Sequence, residues 1–109
     1  GPALLDSSRY VLRKGMSIEP VEKAIDSDIF YKFAGNGYYD LTERGLTGYG
    51  KIGVMFRMNM INGITQYSIF AFSDEKLIYW GTPAEFAKSD DELLQKIGRM
   101  ANEIIKSEM

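Results

Sequence analysis

A chain of 109 residues with 45% hydrophobic and 13% aromatic side chains has the size and composition of one folded domain, not of a disordered tail. Its net charge of −2, with lysines and arginines dispersed among acids, excludes the clustered basic face that a nucleic-acid binder needs. The absence of cysteine and histidine removes thiol nucleophiles, disulfides, soft-metal sites and the usual proton carrier near neutral pH. No apolar run approaches the ~20 residues of a membrane-spanning helix.

Gly1-Pro2 reads as the remnant of a cleaved expression tag, which places the natural N-terminus upstream. Ser7 or Ser8 can cap a short helix over residues 9–14, whose Arg9, Arg13 and Lys14 suit the negative end of its dipole. Gly15 can take the left-handed conformation that closes it, and Ser17 can cap a second helix. Pro20 falls in the first turn of that helix, where its missing N–H costs little. Val21, Ala24 and Ile25 follow at helical spacing, and the pattern fades over residues 26–28.

Residues 29–33 are β-prone, Gly35-Asn36-Gly37 predicts a turn, and residues 38–42 read as a first strand. Three glycines among residues 45–50 predict a flexible loop. The next strand, over residues 51–59, sets Ile52, Val54, Phe56 and Met58 on one face and Arg57 and Asn59 on the other. Asn62-Gly63 signals a hairpin into a strand over 64–73, and Asp74-Glu75 turns into another over 76–80. Thr82-Pro83 breaks the sheet. Ser89 and Glu92 have capping-box spacing, and Asp90, Asp91 and Glu92 suit a helix N-terminus. Leu93, Leu94, Ile97, Met100, Ala101, Ile104 and Ile105 then share one helical face. The predicted class is α+β: two short N-terminal helices, an antiparallel three- to four-stranded meander, and a C-terminal amphipathic helix, in one domain spanning residues 1–109.

Few residues offer chemistry. Gly45-Leu46-Thr47-Gly48-Tyr49-Gly50-Lys51 has the spacing of a phosphate loop, but Ile52 replaces the metal-holding hydroxyl, and a strand follows where a helix should. Asp40 with Glu43, and Asp90 with Asp91, are the carboxylate pairs; helix capping accounts for the second. Ser17 lies near Lys14 and Lys23, yet an N-cap beside solvated lysines explains the grouping better than a nucleophile does. No catalytic residue, cofactor or metal site is expected.

The aromatic run Phe30, Tyr31, Phe33, Tyr38 and Tyr39, and Tyr79-Trp80 at the end of the last strand, can cover the sheet or form a recognition surface. Met55, Met58 and Met60 make their strand apolar on both faces. Such a strand is buried on both sides or turns one side to a partner. If the N- and C-terminal helices pack on the same face, the other is left as an apolar interface.

The helix–Lys14-Gly15-Met16-Ser17–helix entry, the tyrosine-bearing strand at Tyr38-Tyr39, and the hairpin from Gly63-Ile64-Thr65 to Phe72-Ser73-Asp74-Glu75-Lys76-Leu77 resemble the SmpA/OmlA (BamE-like) family of small outer-membrane lipoproteins. The resemblance spans residues 8–80. It departs from the family at Asp26-Ser27-Asp28, where a Gly-x-Pro is usual. It departs again in Tyr79-Trp80-Gly81 and the long C-terminal helix, and no lipid-acceptor Cys is present. It implies a two-helix, three-stranded fold and a non-catalytic envelope module at the periplasmic face of the outer membrane. Such a module binds other envelope proteins and touches the membrane only through a lipid anchor upstream of Ala3. Tyr38, Tyr39, Met58 and Trp80 are the expected protein-binding residues. The alternatives are a small cytosolic ligand-binding domain with a pocket between sheet and C-terminal helix, or a protein-inhibitor module of similar fold.

Overall fold

The computed structural model describes residues 12–26 and 32–109. In chain order these form α1 (Ile18–Asp26), β1 (Lys32–Asp40), β2 (Ile52–Ile61), β3 (Ile64–Ser73), β4 (Lys76–Gly81), α2 (Pro83–Lys88) and α3 (Glu92–Glu108). The class is α+β, with the strands in one antiparallel sheet of order β1-β2-β3-β4. Asn62-Gly63 and Asp74-Glu75 make the two tight turns. All four residues have positive φ, which matches the twist of the strands they join. β2 and β3 pair without interruption from Ile52↔Ser73 to Ile61↔Ile64.

Both faces of this sheet are covered, because α1 and α3 lie on opposite sides. On one face Ile52, Val54, Phe56, Ile69 and Ala71 meet Ile97, Ala101 and Ile104 of α3. On the other, Met55, Phe70, Phe72 and Leu77 meet Val21 and Ile25 of α1, with Leu12 beside them. The condition for an exposed sheet face, both helices on one side, is therefore not met. Alternation of side chains along β2 feeds both cores at once, and residues 52–57 are all buried. Fully burying a phenylalanine contributes roughly 1.5–3 kcal/mol, and Phe56, Phe70, Phe72 and Phe86 are each completely buried.

Four local expectations need correction. Gly35-Asn36-Gly37 does not reverse the chain; β1 runs through it, and the ladder jumps from Ala34↔Phe56 to Tyr39↔Val54. Glycine's freedom at positive φ (Gly37, 89°) here makes a bulge in an edge strand. Ser89 and Glu92 do not form the capping box. Ser89 ends α2, and Asp91 caps α3 by accepting from the Leu94 N–H at 3.1 Å. The true box is Thr82 with Glu85, opening the short helix α2 at the point where only a break is expected.

The loop at residues 41–51, of which residues 45–50 are expected to be flexible, is fastened. Leu46 is buried in the α3-side core, and Thr42 Oγ1 donates to the Gly50 carbonyl while accepting from Ile52 N–H. Arg44 also forms a 2.7 Å ion pair with Glu108 near the end of α3.

The first predicted helix falls largely outside the described residues. Leu12 and Arg13 are not helical, and Lys14-Gly15 form a turn with Gly15 at φ 92°. Residues 15–17 then line the start of β4. Gly15 N–H donates to Leu77 O at 2.7 Å, and Leu77 N–H donates to Met16 O at 2.8 Å. Phe30 and Tyr31 also lie outside the described residues.

Candidate functional site

The four predicted protein-binding residues divide between the two cores. Tyr38 and Trp80 pack on the α1 side, Tyr39 and Met58 on the α3 side. Adjacent residues on a strand point to opposite faces, so Tyr38 and Tyr39 cannot share a surface. Tyr39 is buried edge-on against Phe56 (5.4 Å between ring centroids), with the Arg44 guanidinium 5.2 Å from its own ring. It has no area to offer a partner. Trp80 and Met58 are half-buried and serve as margins of their cores.

Tyr38 lies across Gly53 and beside Phe72, at a tilt of 59°. Its hydroxyl is buried with no hydrogen-bond partner among the described residues. Burial, followed by the negative charges of Asp40 and Glu75, pushes its pKa above the ordinary tyrosine value. An unsatisfied buried hydroxyl costs free energy, so Tyr38→Phe is expected to leave stability unchanged or raise it by up to about 1 kcal/mol. Urea denaturation checks this; a loss of more than 1 kcal/mol would give the hydroxyl a partner.

The surface that does stand open is the far end of the β2–β3 ribbon. Met60 and Ile64 are 65% and 64% exposed, and Ile61 is 38% exposed. Among the described residues the ribbon outreaches both neighbours: β1 pairing ends at Lys32↔Met58 and β4 pairing at Ile69↔Gly81. Met60 falls on the α3 side with Met58 and Tyr67, while Ile61 and Ile64 fall on the α1 side beyond Asn59. Arg57 and Asn59 are the buried polar residues leading to it, with the Arg57 guanidinium 5.3 Å from the Phe70 ring.

Sequence reasoning missed this tip. The available signal was the sixteen-residue run 58–73, which has no Asp, Glu, Lys or Arg in a chain where charged residues are 26%.

Elsewhere the polar groups are tied up locally. Asp40 Oδ1 accepts from Glu43 N–H at 3.1 Å, so that pair shapes a turn. Ser17 Oγ accepts from Lys76 Nζ at 2.9 Å. A serine nucleophile needs a desolvated amine beside it, and Lys76 is exposed. Among the described residues no cluster of three acids could hold a metal, and no helix is long and apolar enough to cross a membrane.

Arg44, Lys96 and Arg99 share one groove with Thr47 and Met100, about 460 Å³ in volume. Its Arg44 and Lys96 are already bonded, the first to Glu108, the second to Tyr49 and Glu92. Those bonds raise the pKa of each cation. A more enclosed cleft lies between α2 and α3, lined by Pro83, Ala87, Gln95, Gly98, Arg99 and Asn102. Neither lies between sheet and α3, where a pocket was the alternative expectation.

No family model matches the chain, and no curated protein or solved structure matches it either.

Proposed function

We propose that this domain is a non-catalytic protein-interaction module of the cell envelope that docks through the tip of the β2–β3 ribbon. The observation that carries the reading is the exposure of Met60 and Ile64 at the end of a strand pair that is buried over residues 52–57 and 69–72. Each such side chain kept in water forgoes roughly 1.5–3 kcal/mol of burial. On the α1 side Ile64 stands directly opposite exposed Ile61, and adjoining apolar groups of this kind mark interaction surfaces. The envelope placement rests on the resemblance to the SmpA/OmlA lipoproteins, with a lipid anchor upstream of Ala3 at the periplasmic face of the outer membrane.

The test is photo-crosslinking in the native host, from a reactive residue at position 64 or, as control, at Lys106 near the far end of the domain. Membrane fractionation and a fatty-acid probe accompany it. A discrete adduct to an envelope protein from position 64, absent from position 106, is expected. Equal adducts from both positions, or none from position 64, would remove the tip as the docking surface. An unlabelled, cytosolic protein would remove the envelope reading alone.

A further inference from the structure

We infer that the open outer edge of β3, around Thr65, pairs with the same edge of a second copy of this chain. This rests on the reading of the ribbon tip as a docking surface and names what covers its open side. β4 lines β3 only from Ser73 back to Ile69. Past Gly81 the chain turns into α2, whose first residue, Pro83, lacks the N–H needed to extend the ladder. Among the described residues nothing pairs with the outer side of residues 64–68.

Open edges in natural sheets are guarded by charge, proline or a bulge. This one has none of the three: Ile64-Thr65-Gln66-Tyr67-Ser68 is uncharged and proline-free, and its register with β2 is unbroken. The nearest charged residues along the chain are Arg57 and Asp74. Two copies with a net charge of only −2 each therefore meet without like charges in the paired span.

The edge is also self-complementary. Residues flanking a two-residue turn bond to each other, so Ile64 faces β2 and Thr65 turns its N–H and C=O outward. A two-fold axis at Thr65 makes Thr65 of each copy bond to Thr65 of the other. On the α3 side the existing Met60–Thr65 pair then extends into a continuous row across both copies. On the α1 side Ile64 faces Gln66 of the second copy, and on the α3 side Tyr67 covers its Gly63. This register stops short of Thr82, which follows Gly81 beside β3. Threonine opposite threonine and aromatic over glycine are favourable cross-strand neighbours. The contact is smaller than the ~800 Å² per partner of a standard interface, so the dimer is weak and concentration-dependent.

Sedimentation of the whole chain from roughly 1 to 500 µM tests this, a range that brackets weak association. The wild type is expected to pass from monomer to dimer. Thr65→Lys and Thr65→Glu, at an exposed position, are each expected to remain monomeric with an unchanged melting midpoint. Their equimolar mixture is expected to dimerise, because Lys then faces Glu across the axis. A wild type that stays monomeric throughout overturns the inference. So does a dimer that survives Thr65→Lys, or a mixture that stays monomeric while both variants are folded. A monomeric wild type that still crosslinks a partner from position 64 overturns self-pairing and leaves the docking tip in place.

Discussion

Phe86→Ala is expected to lower the free energy of unfolding by about 3–5 kcal/mol, the usual cost of emptying a buried phenylalanine site. Phe86 is completely buried and stands edge-on to Tyr79 at 4.9 Å. A Cβ added at Gly98 would lie 2.7 Å from the Phe86 Cβ, so the two helices touch backbone to side chain. The six residues of α2 cannot hold a helix alone, since nucleation is unfavourable and isolated helices of this length are unstable. Phe86 is its one buried anchor. Against a typical total of about 5–15 kcal/mol, the loss should lower the melting midpoint by more than ~10 °C. Calorimetry or urea denaturation measures it, and a loss below 1 kcal/mol would mean that α2 does not support the α3-side core.

Gly53→Val is expected to cost about 1–3 kcal/mol through overpacking. Any Cβ at position 53 falls inside the Tyr38 ring, which has to leave the sheet and give up its contact with Phe72. The cost should therefore depend on Tyr38. In a double-mutant cycle with Tyr38→Ala, the penalty at position 53 is expected to shrink by at least about 0.5 kcal/mol, as residues in contact do. Strictly additive effects would show that the crowding comes from another neighbour. The pair also separates two roles for Tyr38, because a residue that holds the sheet together shows itself in stability, not in partner binding.

The strands were legible because their signals are local. Asn62-Gly63, Asp74-Glu75 and the alternation of Ile52, Val54, Phe56 and Met58 each act over a few residues, and each appears in the fold. The apolar face of α3 was legible for the same reason. What failed were choices between two physically allowed outcomes. A Gly-Asn-Gly can reverse a chain or bulge it, and pairing with β2 decides in favour of the bulge. Ser89 and Asp91 both can cap, and the end of α2 consumes the first. The side of the sheet that each helix takes depends on contacts far apart in sequence, such as Gly15 with Leu77. That choice decided whether one sheet face stayed open, while alternation along β1 alone already kept Tyr38 and Tyr39 apart. The uncharged run 58–73 marked the region, but whether its tip is covered depends on how far β1 and β4 extend.

Burial on both faces has one more consequence. In most sheets a strand cannot slip by one residue, because the slip would turn its apolar set into water. In β2 the buried stretch reads Ile52, Gly53, Val54, Met55 and Phe56 before it reaches Arg57, and the apolar one in β3 reads Ile69, Phe70, Ala71 and Phe72. Such stretches are apolar whichever way they face, so hydrophobic patterning alone polices their alignment weakly. The burden moves to the two tight turns at the ends of β3 and to the fit of Tyr38 over Gly53. Alignment of this sheet is kept by its corners and by one glycine, more than by the oiliness of its strands.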